Sequence, residues 1–262
     1  MSGRKRFRAA AVVACAIAGA LLALGVAQAA KLTGKSETES LPNDSDTHRL
    51  DVACPKGSRA TGGGIRLDDD VNDFVQGTYP NLGGWRVAAF RRNISPGPSS
   101  FTAYVRCLRS KRVTNVSEKV DLIDTATLDT AFAKCPKGTW VGGGGGELGD
   151  DVNDYLSGSY PYSNRQWLAL GHGNATMAAH AVCIKGAKPK IRTKAFEMPG
   201  DDATHKVTVK CPKGTLATGG GGRLDDPLGN YFQGSYPTGK RKWTAAGFDT
   251  GVLTAYVVCR KR

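Results

Sequence analysis

The residues best suited to chemistry in this chain are clustered carboxylates, glycine runs, histidines and cysteines, and each can be weighed by type and spacing. Asp68-Asp69-Asp70-Val71-Asn72-Asp73 and Asp150-Asp151-Val152-Asn153-Asp154 gather hard oxygen donors of the kind that hold Ca²⁺. A third counterpart, Asp225-Asp226-Pro227-Leu228-Gly229-Asn230, keeps only part of the set, and none continues into an EF-hand loop. An Asp/Asn-rich turn between strands accounts for all three without metal. The runs Gly62-Gly63-Gly64, Gly143-Gly144-Gly145 and Gly219-Gly220-Gly221 invite a phosphate-loop reading. That reading needs a helix N-terminus next, whereas strand-like Ile65-Arg66-Leu67 and Gly222-Arg223-Leu224 follow. The four histidines are His48, His172, His180 and His205. None sits in a nucleophile or zinc arrangement, and His48 and His205 fall at matching positions six residues before a cysteine. The reading is a non-enzymatic protein with no metal and no cofactor.

The cysteines speak of compartment. Residues 1–29 read as a cleaved signal peptide: Arg4, Lys5, Arg6 and Arg8 precede the uncharged run Ala9 to Val26, and Ala27-Gln28-Ala29 is the small-x-small cleavage pattern. Cleavage removes Cys15, one of seven cysteines, and leaves an even set for disulfides in an oxidising compartment. It also removes four of the 36 basic residues and no acidic one, taking the formal charge from +13 to +9. Such a charge favours acidic surfaces. It is spread along the sequence without a basic stripe interleaved with aromatics, so nucleic acid is not an expected partner.

Self-comparison then organises everything else. Cys54-Pro55-Lys56-Gly57 recurs as Cys135-Pro136-Lys137-Gly138 and Cys211-Pro212-Lys213-Gly214. In each copy a glycine run begins eight residues after the cysteine, an aromatic follows at twenty (Phe74, Tyr155, Tyr231), then Tyr-Pro at Tyr79, Tyr160 and Tyr236. Each copy then has one tryptophan (Trp85, Trp167, Trp243) and closes on Ala-x-x-x-Cys at Cys107, Cys183 and Cys259. The divisions read as a polar N-terminal segment at 30–46, β repeats at 47–110, 127–185 and 201–262, and basic linkers at 111–126 and 186–200. The first copy carries a longer hairpin loop around Arg91 to Pro98.

Alternation of period two marks strands on either side: Leu50, Val52 and Cys54 share a face, as do Ala103, Val105 and Cys107. No segment beyond the leader shows a helical period, and 34 glycines argue against helices. The fold class is therefore all-β, with three homologous antiparallel modules. The repeat selects one disulfide pairing, Cys54–Cys107, Cys135–Cys183 and Cys211–Cys259, each joining a module's opening strand to its closing one. Cys-Pro-Lys-Gly reads as a turn, and the glycines after it as a bulge or a close approach by a tryptophan ring.

Cys54 to Gly62, Cys-Pro-Lys-Gly-Ser-Arg-Ala-Thr-Gly, resembles the opening motif of the vitelline membrane outer layer protein I family, and the same short motif occurs in exported bacterial proteins. The resemblance covers about nine residues in each of three copies and implies a pseudo-threefold β-prism. The family's longer segment before its second cysteine is missing here, and the cysteines stand further apart. Against a prism stands the alternative of three tandem small β-sandwiches, favoured by a tryptophan segment apolar on both faces (Trp85, Val87 and Ala89 against Ala88 and Phe90). By fold-level analogy other β-prism proteins bind carbohydrate. The expected function is a secreted or envelope-associated binding or structural protein whose partner is extracellular or cell-wall polysaccharide, or another acidic surface. Tyr79, Tyr160 and Tyr236, with Trp85, Trp167 and Trp243, are the candidate sugar platforms. A secreted protein-binding module is the alternative, and a hydrolase a more distant one.

Overall fold

In the computed structural model, which describes residues 32–68, 72–92, 97–110, 112–123, 128–149, 151, 154–225 and 231–261, every regular element is a strand and every pairing is antiparallel. The first copy contributes β1 (Leu32–Leu41), β2 (His48–Ala53), β3 (Arg59–Leu67), β4 (Asp73–Asn81), β5 (Gly84–Arg91) and β6 (Ser99–Leu108). The second contributes β7 (Val113–Asp121), β8 (Asp129–Lys134), β9 (Thr139–Leu148), β10 (Tyr155–Ser163), β11 (Gln166–His172) and β12 (Thr176–Lys185). In the third, β13 (Lys190–Lys210) and β16 (Lys242–Lys261) each run through two such positions, with β14 (Thr215–Asp225) and β15 (Tyr231–Gly239) between them.

Within each copy the strands form two half-sheets. In the first, β1-β6-β3 is one and β2-β5-β4 the other. The apolar faces of the two halves meet over a fully buried tryptophan, Trp85, Trp167 or Trp243. One disulfide joins the end of the opening strand to the closing strand, at Cys54–Cys107, Cys135–Cys183 and Cys211–Cys259. By the chain-entropy model each such loop contributes about 4 kcal/mol.

The copies are not beads. Strand β3 pairs with β15 of the third copy, β9 with β4 of the first, and β14 with β10 of the second. Each copy thus lends one half-sheet to each neighbour, and the exchange closes in a ring. One product is the six-stranded sheet β2-β5-β4-β9-β12-β7. The other two are fused into a ten-stranded sheet because β13 and β16 pass from one half to the other, bending where Gly200, Asp202, Asp249 and Gly251 adopt positive φ. The two architectures left open by the sequence are therefore combined: three sandwiches, joined around a common pseudo-threefold axis.

The glycine runs make that axis possible, each position in a different way. A Cβ at Gly62 would lie 2.6 Å from the Gly219 Cα, one at Gly219 2.5 Å from the Gly143 Cα, and one at Gly143 2.8 Å from the Gly62 Cα. The first glycines are thus in backbone contact around the ring. The second glycines, Gly63, Gly144 and Gly220, lie under the rings of Trp85, Trp167 and Trp243. The third, Gly64, Gly145 and Gly221, abut the carbonyls of Ser235, Thr78 and Ser159 in the neighbouring copy. Thr61 donates to the Thr218 carbonyl at 2.9 Å, and Thr218 to the Gly142 carbonyl at 2.8 Å. Further along, Phe74, Tyr155 and Tyr231 meet with ring centroids 4.8 to 6.1 Å apart.

Two sequence expectations need correction. The segments read as a polar N-terminus and basic linkers (30–46, 111–126 and 186–200) carry β1, β7 and the first part of β13, each the outermost strand of its half-sheet. An edge strand held by its backbone and exposed over much of its length needs no apolar alternation, and its Lys and Glu side chains discourage further pairing. Nor is the positive charge diffuse in space. The turns after Cys54, Cys135 and Cys211 sit beside the ends of the closing strands, as the register pairs Arg59 with Leu108, Thr139 with Lys185, and Thr215 with Lys261. This brings Arg109, Arg112, Lys185, Lys188, Lys190, Lys213, Arg260 and Lys261 around one end. Asp68 and Asp225 lie at the other end of the same strands.

Candidate functional site

The cyclic exchange places residues from two copies side by side on the outer face at each seam, and three matching rows result. In the first, His180 on β12 pairs with Gly145 on β9, the Tyr79 Cα of β4 lies against that glycine, and Arg86 and Asp51 follow on β5 and β2. In the second, the order is Tyr256, Gly221, Tyr160, Leu168 and Phe132. In the third it is Tyr104, Gly64, Tyr236, Thr244 and Thr208. With no side chain at the glycine, the flanking rings stack across it: Tyr79 on His180 at 5.1 Å, Tyr160 on Tyr256 at 4.6 Å, and Tyr236 on Tyr104 at 5.3 Å.

Each predicted platform residue can now be placed. The tryptophans offer no face to a ligand. They are the cores of the three sandwiches, and Trp85 and Trp167 donate their indole N–H to Thr78 (2.8 Å) and Ser159 (2.7 Å). A residue type kept in all three copies serves what the copies share, which is packing. Tyr79, Tyr160 and Tyr236 are 7%, 6% and 7% exposed and show only edges, their faces being covered by the stacked partner ring. They are seam residues. Sequence reasoning missed their partners, His180, Tyr256 and Tyr104, because each comes from a different copy; the signal available was their shared position three residues before the closing cysteine.

What differs between the rows is chemistry. The first is charged. His180 Nε2 lies 3.0 Å from Glu147 Oε2, and Arg86 grips Asp51 with two hydrogen bonds of 2.7 and 2.9 Å. Glu147 stands where the other copies have Arg66 and Arg223, and His180 where they have tyrosine. Burial, reinforced by the negative charge of Glu147, pushes the Tyr79 phenol up to about 12. Burial also opposes ionisation of Glu147, but the hydrogen bond and charge of His180, with Tyr79 and Lys119 behind them, outweigh it and hold the carboxyl below its usual value. At neutral pH this is an ionised carboxylate and a protonated phenol, a fixed hydrogen-bonding group. A shallow cavity of about 240 Å³ beside it is lined by Arg49, Lys119, Glu147 and Thr176, and brings together β2 and β7, the two edges of the six-stranded sheet.

The second row is apolar, buried at its centre and exposed only at its edge. Leu168 and Leu170 cluster with Tyr160 and Tyr256, Phe132 extends the row to the sheet edge, and Tyr162 meets Phe132 edge-to-face at 5.4 Å. Tyr162 is 60% exposed and Phe132 39%. Arg223, paired with Asp225, stands 5.9 Å from the Tyr160 ring. The third row is hydroxyl-rich, with Thr208, Thr244 and Thr238 hydrogen-bonded in series at 2.7 and 3.0 Å.

Comparison with known protein families and with curated proteins returned no match. Among the described residues no three His, Cys, Asp or Glu side chains gather as metal ligands. Most of the acidic stretches after Leu67, Gly149 and Asp225 lie outside the described residues, as does the leader. Among the described residues no helix is long and apolar enough to cross a membrane. His48, at the start of β2, and His205, within β13, each bond an aspartate four residues earlier, Asp44 at 3.0 Å and Asp201 at 2.7 Å.

Proposed function

We propose that this chain is an exported, non-enzymatic binding protein whose ligand is an extracellular or cell-wall polysaccharide, held against the exposed rings of Tyr162 and Phe132 at the edge of the apolar row. The observation that carries the reading is the exposure of Tyr162 and Phe132 at the edge of an otherwise continuous apolar row, on one seam of three. An exposed apolar strip rimmed by polar groups is where soluble proteins make contacts. Two exposed flat rings meeting edge to face suit the apolar face of a sugar. The three disulfides fit an oxidising, extracellular setting, with residues 1–29 as its export signal. The shared half-sheets are compatible with a prism like that of the vitelline membrane family.

The test is binding of the purified protein to a panel of cell-wall and extracellular polysaccharides, compared with Tyr162→Ala and Phe132→Ala. Both side chains are largely at the surface, so the fold should survive. Affinity should fall about tenfold or more for either variant, since aromatic contacts commonly dominate binding energy. Wild-type protein that binds no glycan but retains one defined protein through the same two side chains would replace this reading with the protein-binding module.

A further inference from the structure

At the basic end, two cavities adjoin. One, of about 380 Å³, is lined by Leu32, Arg109, Arg112, Lys185, Leu216 and Arg260, among others. The second, of about 410 Å³, includes Lys188, Lys190, Pro212 and Lys213. Arg260 and Lys261 border both. Among the described residues no carboxylate lines either cavity, and none of these cations has a salt bridge. Arg260 is the unusual member. Its Nη1 is buried with no hydrogen-bond partner among the described residues, and burial pulls its pKa below the usual arginine value. A guanidinium partly withdrawn from water and ringed by further cations is a favourable seat for an oxyanion. Lys188 has only a loose aromatic neighbour, 5.9 Å from the Trp140 ring.

We infer that the two cavities form one site for an acidic polysaccharide, with a ligand oxyanion seated on Arg260 where they join and neighbouring anionic groups met by Lys188, Lys190 and Lys213 on one side and Arg109, Arg112 and Lys185 on the other. The inference rests on the polysaccharide reading above and adds the charge class of the polymer. It also explains why so many cations, far apart in sequence, are tolerated together: their mutual repulsion is relieved by a polyanion.

The experiment measures binding of the purified protein to dextran sulfate, polygalacturonate, neutral dextran and duplex DNA at about 0.1 M and about 0.5 M salt, a range over which screening tightens from roughly 10 Å to roughly 4 Å. The variants are Arg260→Gln, which removes the seat, and the surface double substitution Lys188→Glu with Lys213→Glu, which leaves the core untouched. Lys119→Gln with Lys194→Gln serves as a control away from this end. The double reversal should weaken binding to one or both acidic glycans about tenfold or more at the lower salt, and far less at the higher. The control pair should stay within about twofold. Dextran sulfate against polygalacturonate distinguishes sulfate from carboxylate as the seated group. If Arg260→Gln does not fold, the double reversal alone decides. An unchanged affinity in the folded double reversal overturns the inference, as does DNA binding as tight as that of the acidic glycans. Binding of neutral dextran alone would sink this inference and spare the polysaccharide reading, whereas binding of no glycan would sink both.

Discussion

Gly143→Ala tests the closure of the ring directly. The new methyl would stand 2.8 Å from the Gly62 Cα and closer still to the Thr61 carbonyl, both backbone atoms of the first copy. Neither can rotate away, so the first and second copies must separate by several tenths of an ångström or more at the axis. Overpacking of a tight core typically costs about 1 to 3 kcal/mol. The upper figure applies here, about 3 kcal/mol, because backbone meets backbone and the displacement is passed on to Gly219. With a urea m-value of about 2 to 3 kcal/mol/M, the midpoint should fall by about 1 M. The assay is urea unfolding with the disulfides intact, followed by tryptophan fluorescence and far-ultraviolet circular dichroism together. Gly83→Ala is the comparison: it has positive φ but nothing within 4 Å, so only backbone strain of about 1 to 2 kcal/mol is at stake. A Gly143→Ala variant no less stable than Gly83→Ala would refute the axis contact. Loss of coincidence between the two probes would show that the copies unfold separately and are not locked in a ring.

Three further outcomes follow from the packing. Replacing Cys135 and Cys183 by serine should cost about 4 kcal/mol, read from thermal unfolding, and a change below 1 kcal/mol would show that the seams hold the second copy without its bridge. Ser159→Ala strips the hydrogen bond from the buried Trp167 indole and should cost about 1 to 2 kcal/mol, whereas Ser235→Ala should be nearly neutral because the Trp243 indole N–H has no partner among the described residues; equal losses would contradict this. Tyr79 and Tyr256 are both pushed up to about 12, chiefly by burial, so the fold favours their neutral forms. That contribution to stability is complete below the ordinary phenol value near 10 and is lost as pH rises from there towards 12. Phenolate absorbance should therefore develop in stages, with a late fraction of the eight tyrosines absent from the Tyr79→Phe, Tyr256→Phe variant; one step near 10 would refute it.

The parts of this structure that were readable in the sequence are those each copy repeats for itself. The disulfide pairs, the strands that carry the cysteines and the tryptophan over a glycine depend on interactions within one copy, so threefold recurrence exposed them. Seam chemistry was not readable, because Tyr79 faces His180 and Tyr160 faces Tyr256 only after half-sheets are exchanged. The outer strands escaped notice because an edge held by backbone bonds needs no apolar pattern. The cationic end was hidden for a third reason: Arg109, Lys188, Lys213 and Arg260 are about 150 residues apart at the extremes, and only strand direction brings them together.

The contact of Gly62, Gly143 and Gly219 also bears on how many copies such a ring can hold. Three backbones fill the axis and leave no gap for a fourth, while two would leave open edges on β3 or its counterparts with nothing to pair. A fourth copy could join only by opening this contact, and a two-copy chain would have to cover its edges in another way. The seams lie outside this contact, so they can differ without disturbing it, as the charged, aromatic and hydroxyl rows do.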